Sequence, residues 1–267
     1  MKLGEKIRLA RQNAGMTQAE LAGDFITRNM LSQIENGLAM PSLQTALYIA
    51  DRLGVDAGIL FSESDDKSIY FVTRKLPVMK KAYADGDYDR CIELCSQEGE
   101  LCDEAVLLLA ECYIKKAFAY YKDGKLRTAL KTSESAVKCA GRCIYSTDSI
   151  KLKAEALEVM IAGISPYVKT LKRKDDEIKL FKEYYIDISG QKNIYNKSAD
   201  VKKLVEEGKY AKACGLIKSL LREKSIDIPL VYELYTDLEI CYRELKDFEN
   251  AYDVTRKAKQ LFNDMQQ

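Results

Sequence analysis

The chain has 267 residues, 47% apolar and 31% charged, enough apolar content for folded cores and a length that suggests two domains. Basic and acidic residues nearly cancel, 42 against 41, so nothing global marks the chain for nucleic acid or an anionic membrane. Histidine is absent, which excludes Ser-His-Asp hydrolysis, Cys-His catalysis and histidine-bearing zinc sites.

The N-terminus, MKLGEKIRLARQ, carries charges where a signal peptide needs an apolar core, and the longest apolar stretch, Ala105–Ala110, is too short to span a bilayer. A cytoplasmic chain is expected, with its eight cysteines as thiols. Ile7, Leu9, Ala10 and Ala14 are spaced for a first helix ending near Gly15. Thr17 with Glu20 three residues later forms a capping box for a short second helix that stops around Gly23. Phe25 and Ile26 are expected to bury the turn. Thr27 caps a third helix, Arg28–Glu35, which ends at Asn36-Gly37 and buries Met30, Leu31 and Ile34. Pro41-Ser42 opens a fourth helix with Leu43, Leu47, Ala50 and Leu53 on one face, closed by Gly54. Asp56 caps a last short helix through Leu60 and Phe61. Five short helices make residues 1–61 a compact all-α domain, followed by a polar linker at 62–68, SESDDKS.

The succession TQAELA, TRNMLSQIENG and PSLQTALYIADRLGV resembles the helix-turn-helix domain of Cro/repressor-type (XRE) transcription regulators, a λ-repressor-like fold, over Leu3 to Phe61. The resemblance implies that the third helix enters the major groove and shows its N-terminal residues, Thr27, Arg28, Asn29, Ser32 and Gln33, to base edges. Arg can bridge guanine O6 and N7, and Asn or Gln can bridge adenine N6 and N7. Thr17 and Gln18 sit at a helix N-terminus, where backbone N–H groups favour a phosphate. Asn36 is implied to touch the DNA backbone. Residues 1–61 hold six Lys/Arg and six Asp/Glu, so modest non-specific affinity and a shallow salt dependence are expected.

From residue 69 the chain is long-helix material, since proline occurs only at 41, 77, 166 and 229. Tyr70–Val72 fits either a short strand or a helix start, and 184–196 is expected to be a helix end and a loop. A motif recurs: Gly86-Asp87-Tyr88-Asp89-Arg90-Cys91, Gly124-Lys125-Leu126-Arg127-Thr128-Ala129, Gly208-Lys209-Tyr210-Ala211-Lys212-Ala213 and Lys246-Asp247-Phe248-Glu249-Asn250-Ala251. It comprises a turn residue, a polar residue, a large apolar residue, two variable positions and a small residue. The first two copies start 38 residues apart, as do the last two, and the 84-residue gap between Gly124 and Gly208 has room for two further units over roughly 145–200. The copies resemble tetratricopeptide (TPR) repeats, which implies a TPR-like α-solenoid over 69–267. The last copy matches best, with Tyr235, Leu238 and Tyr242 on one helix and Phe248, Ala251 and Ala258 on the next. Inner-face positions on that geometry are Glu111, Ile114, Phe118 and Tyr121, then Glu233, Thr236, Ile240 and Arg243, where a peptide or protein ligand would lie.

Cys91/Cys95 and Cys139/Cys143 are i, i+4 pairs that share a helix face, so a metal- or thiol-responsive device is one alternative; buried core thiols are the other. No glycine-rich phosphate loop or paired acid–base motif is present, and no enzyme activity, cofactor or bound metal is expected. An XRE-type reader followed by TPR-like repeats resembles the peptide-sensing regulators of Gram-positive bacteria (the Rgg, PlcR and PrgX group). That resemblance implies a cytoplasmic homodimer on a palindromic double-stranded DNA operator, whose repeat domain dimerises and takes a short peptide. A scaffold that holds a partner protein, localised by its DNA-binding domain, is the other reading of the same architecture. The repeat register makes one stability prediction: Ala251→Phe overpacks the last helix junction and lowers the thermal midpoint by an amount corresponding to about 1–3 kcal/mol, whereas an unchanged midpoint would refute the register.

Overall fold

The computed structural model describes residues 2–61, 69–164, 179–180, 183–187 and 190–266. These residues are all-helical apart from turns and connecting segments. The chain divides into two compact units, residues 1–97 and 98–267. The expected linker at 62–68 lies outside the described residues. The division instead falls after Gln97, so two helices beyond the five-helix domain group with it.

In the first unit, α1 (Leu3–Asn13) buries Gly4, Ile7 and Ala10. Gly4 is obligatory, because a Cβ there would overlap the carbonyl oxygen of Ile34. The Thr17 hydroxyl accepts from Glu20 N at 3.2 Å, while Glu20 returns a carboxylate to Thr17 N at 2.6 Å; this capping box starts α2 (Gln18–Ala22). Helix α3 (Arg28–Glu35) is capped by Thr27, whose hydroxyl accepts from Met30 N at 3.1 Å, and α4 (Leu43–Leu53) by Ser42, which accepts from Thr45 N at 3.1 Å. Left-handed Gly54 closes α4. Asp56 accepts from Gly58 N at 2.6 Å at the start of α5 (Ala57–Phe61).

The packing faces depart from expectation at three places. Helix α4 buries Thr45, Ala46, Ile49, Ala50 and Leu53, whereas Leu43 and Leu47 are exposed. Two apolar stripes overlap on this helix, and the neighbouring helices take the one that includes Ala46 and Ile49. Met30 is exposed rather than core. Phe25 does not bury the turn; it stays nearly half exposed and stacks on Tyr48 with ring centroids 4.5 Å apart. Ile69 and Tyr70 are helical and a π-helical turn, Phe71–Lys75, runs straight into α6 (Leu76–Ala84), so Tyr70–Val72 is no strand. Helix α7 (Tyr88–Ser96) follows, with Cys91 and Cys95 buried.

The second unit contains α8 (Asp103–Lys122), α9 (Leu126–Ala140), α10 (Asp148–Ala162), α11 (Lys192–Glu206), α12 (Tyr210–Leu220), α13 (Ile228–Glu244) and α14 (Phe248–Met265). Helices α8/α9, α11/α12 and α13/α14 pack as consecutive pairs. The sequence motif marks the turn inside each pair, and the same turn joins α6 to α7. Gly86, Gly124, Gly208 and Lys246 all take left-handed backbone, with φ of 78°, 74°, 69° and 60°. The N–H after each returns to a carbonyl five residues back, as Asp87 to Ala82 at 2.9 Å and Lys125 to Tyr120 at 2.8 Å. This Schellman closure satisfies carbonyls that the helix end would orphan. Lys246 adopts it without glycine, at a cost of about 1 kcal/mol. The small residues Cys91, Ala129, Ala213 and Ala251 are all buried, as the motif requires. Phe248 is not: among the described residues no later helix lies over it. The two middle units expected over 145–200 fall partly outside the described residues; within that span α10 is described, 183–187 is helical, and the expected loop is already α11 from Lys192.

A buried carboxylate organises the centre of this unit. Asp227 Oδ2 accepts from the hydroxyls of Tyr185 at 2.9 Å and Tyr195 at 2.8 Å, and Oδ1 accepts from Gln191 Nε2 at 2.7 Å. Tyr121 packs edge-on against Tyr185, with centroids 5.1 Å apart. Burial, the adjacent tyrosines and Asp227 push the Tyr185 and Tyr195 hydroxyls far above the ordinary phenol range, so both stay protonated as donors. Tyr195→Phe should cost about 1–2 kcal/mol and Asp227→Ala about 3 kcal/mol or more, because the latter strands two buried tyrosine hydroxyls. Chemical denaturation followed by circular dichroism measures both; equal, negligible losses would refute the hub.

Candidate nucleic-acid interface

The placement of α3 against α1 and α2 is held by a second buried carboxylate. Glu35, at the end of α3, is almost wholly buried and accepts Arg11 Nε at 2.6 Å, Arg11 Nη2 at 3.0 Å and Gln18 Nε2 at 2.9 Å. Arg11 also donates to Met16 O at 2.8 Å. One side chain therefore ties α1, α2 and α3 together by charge-assisted bonds. Tyr48 and Arg52 of α4 complete the frame, donating to the carbonyls of Ala22 at 3.1 Å and Glu20 at 2.6 Å. A Cβ at Gly23, where φ is +53°, would overlap the Tyr48 hydroxyl.

On this frame Arg28, Asn29, Gln33 and Asn36 are exposed and Ser32 is half-buried. Arg28, Asn29 and Gln33 belong to α3, and Asn36 caps its C-terminus. Thr17 and Thr27 are exposed but spend their hydroxyls as helix caps; Gln18 is half-buried with its amide engaged by Glu35. Sequence reasoning missed Met30, which joins the exposed face of α3 and has the chemistry to meet a thymine methyl. It also missed the Arg11–Glu35 clamp, having taken Glu35 only as part of the helix stop.

The eight ligand-face positions of the second unit fare unequally. Ile114 and Tyr121 are core residues and are withdrawn from any groove. The stripe Ala110, Ile114, Ala117 and Tyr121 is the buried face of α8. Phe118 is half-buried and stacks on Tyr185. Glu111 holds Lys153 of α10 at 3.3 Å. Arg243 is exposed, 3.6 Å from Glu239, and Ile240 is half-buried. Glu233 and Thr236 line a hollow of about 400 Å³ with Val159, Met160, Lys202 and Tyr232. Thr236 and Tyr232 also border a second hollow of about 440 Å³, with Ala258, Lys259 and Phe262. Lys202 pairs with Glu233 at 3.1 Å; burial works against its charge, but Glu233 and Asp237 outweigh it and hold the amine above the ordinary lysine range.

The cysteines occupy core or helix-packing positions. Cys95 Sγ lies 3.9 Å from Met79 Sδ, Cys139 donates to Val106 O at 3.4 Å and Cys143 to Asp103 O at 3.4 Å. Cys214 and Cys241 meet between α12 and α13, a pair no sequence spacing announced. Burial, reinforced by Cys214, pushes the Cys241 thiol up to about 12. Among the described residues no cluster of three or more Cys, Asp or Glu is placed to hold a metal, and no helix is long and apolar enough to cross a membrane.

Residues 7–60 match the helix-turn-helix family model, so the five-helix segment of the first unit is a helix-turn-helix domain. No curated relative matches the chain. Among solved structures, it is similar to Bacillus thuringiensis PlcR in complex with the peptide PapR7 and DNA, at 18% identity and a TM-score of 0.30, over 99% of this chain and 95% of that one. It is similar to ComR from S. thermophilus in complex with DNA and its signalling peptide ComS, at 16% identity and 0.31, over 97% and 99%. A third is the Streptococcus dysgalactiae SHP pheromone receptor Rgg2, at 14% identity and 0.24, over 97% and 99%.

The thiol environments make a pH prediction. Cys241 has a raised folded-state value, so its contribution to stability is complete below the ordinary thiol range and is lost as pH climbs from about 9 toward 12. Between pH 9 and 11 the midpoint of the wild type should fall more steeply than that of Cys241→Ala. At pH 8 an aromatic disulfide reagent should modify half-buried Cys102 and Cys143 before Cys214 and Cys241; the reverse order would restore the thiol-sensor reading.

Proposed function

We propose that the chain is a sequence-specific transcription regulator that reads a palindromic operator as a cytoplasmic homodimer, with residues 1–61 as the reader and 69–267 as the dimerising, ligand-receiving part. The observation that carries the reading is the exposed row Arg28, Asn29 and Gln33 on a short helix whose caps and buried Glu35 leave those side chains free of structural duty. Arg and Asn at the start of such a helix offer bidentate partners for guanine and adenine. Thr17, Gln18 and Asn36 are assigned to the DNA backbone and Ser32 to the groove wall. A twofold dimer sets the two reading helices about 34 Å apart, one turn of DNA. The equal charge count of residues 1–61 supports a shallow salt dependence; a slope implying ten or so released ions would contradict it.

A short peptide or protein ligand is assigned to the paired hollows around Tyr232 and Thr236. The mainly apolar lining of the second hollow and the Lys202–Glu233 pair of the first suit an extended chain with both apolar and polar groups. Glu111, Phe118, Ile240 and Arg243 line neither hollow. Ligand binding would act by shifting the population of dimer geometries.

Selection from random duplex DNA tests the reading. The wild type should enrich a palindrome, and Arg28→Ala/Asn29→Ala should lose it, with each lost contact costing about 1–3 kcal/mol. Equal enrichment by the double variant would overturn the assignment of these residues, and no enrichment by the wild type would turn the search to ligand and partner first.

A further inference from the structure

Helices α9 and α10 border a hollow of about 610 Å³ that shares no residue with the two around Tyr232. Leu130, Val137 and Ala154 give it apolar lining. Three carboxylates stand around them, Glu134 on α9 and Glu155 and Glu158 on α10, so both walls are acidic. Lys151 is the one base among the lining residues, and it leans on Asp148 at 3.7 Å. One further lining residue points to a ligand. Ser133 is only 5% exposed, yet among the described residues its hydroxyl has no hydrogen-bond partner. A helical serine or threonine can bond the carbonyl four residues back, and its neighbours do: Thr132 donates to Thr128 O at 2.7 Å and Ser135 to Lys131 O at 2.9 Å. Those two are at the surface; the buried hydroxyl is the one left unused, on the wall of a cavity, where an unmet polar group costs stability.

We propose that this hollow binds a small amphipathic organic cation, a primary ammonium carried on a compact apolar body. Its volume falls in the range of small-molecule sites. The apolar body lies against Leu130, Val137 and Ala154. The ammonium has three N–H donors, one for Ser133 Oγ and the others for the carboxylates of Glu134 and Glu158 on opposite walls. Such charge-assisted bonds are stronger than neutral ones and gain from the partly dry setting. An anion of the same shape meets three carboxylates, a neutral molecule leaves them without a countercharge, and a quaternary ammonium supplies the charge but no donor for Ser133. The site is independent of DNA reading and of the ligand assigned to the hollows around Tyr232.

Isothermal titration calorimetry on the full chain decides it. The probes are phenylbutylammonium, phenylbutanol and phenylbutanoate, which share one body and differ in charge. The cation should bind about tenfold or more tightly than the other two. Its N-trimethyl form, which keeps the charge and loses every N–H, should bind more weakly than the primary ammonium. Glu134→Gln/Glu158→Gln removes a charge from each wall with little change of shape and should weaken the cation by about tenfold. Ser133→Ala should erase the preference for primary over trimethyl ammonium and keep the preference for cation over alcohol. Thermal melting shows whether the double variant is folded. If it is not, Val137→Arg, at an exposed position, puts a cation of the chain's own into the hollow and should abolish binding. Equal binding of the three phenylbutyl compounds, no binding of the cation by the wild type, or undiminished cation binding by a folded charge variant would each overturn the proposal.

Discussion

A single buried carboxylate governs the helix-turn-helix segment. Glu35 is charged and almost without solvent, an arrangement that is unstable unless its oxygens are well paired. They are paired with three N–H groups from Arg11 and Gln18, and this fixes where α3 ends relative to α1 and α2. Gly4 lets α1 approach the Ile34 carbonyl closely enough for the clamp to close. A reading helix of eight residues is too short to be stable alone. Its orientation comes from this clamp at one end and the Thr27 cap at the other. The side chains between them can face outward because neither device uses them.

The second unit solves a different problem with repetition. Its helices meet through a left-handed turn followed by a buried small residue, and the turn recurs with nearly the same backbone whether its first residue is glycine or Lys246. Local closure of this kind sets where each helix stops but leaves open how one pair stacks on the next. In the centre that stacking is fixed by Asp227, which gathers donors from 32 to 42 residues away in sequence. Repetition supplies the pairs, and one non-repeated polar hub supplies their register.

This division explains what could be read from the amino-acid sequence. Caps at Thr17, Thr27 and Ser42 and the stops at Asn36-Gly37 and Gly54 were legible because donor and acceptor lie within one turn of each other. The repeated turn was legible because it recurs. The buried face of α4 was not, since Leu43-Leu47-Ala50-Leu53 and Ala46-Ile49-Ala50-Leu53 both fit a helical period and only the neighbouring helices choose between them. Ile114 and Tyr121 were misassigned to a groove for the same reason. Glu35 and Asp227 were invisible because their partners are distant in sequence and an acidic residue is ordinarily solvated. The cysteine spacing left two readings open; Cys139 and Cys143 donate to different carbonyls, while Cys214 and Cys241, far apart in the chain, meet.

The charge distribution bears on how such a reader gains affinity. Residues 1–61 have as many acidic as basic groups, and Arg11 is consumed internally by Glu35. Few cations are left to neutralise phosphates, so non-specific attraction by one unit is weak. Base contacts from a short helix add a few kcal/mol at most for each good pair. If the chain reads DNA as proposed, neither source alone would give durable occupancy, and linking two readers would let the second bind at high effective concentration. A reader with little net charge is also less drawn to arbitrary DNA, so the same balance that weakens one unit sharpens the discrimination of a linked pair. On the proposed reading, the near-neutral surface and a second copy would be two sides of one constraint.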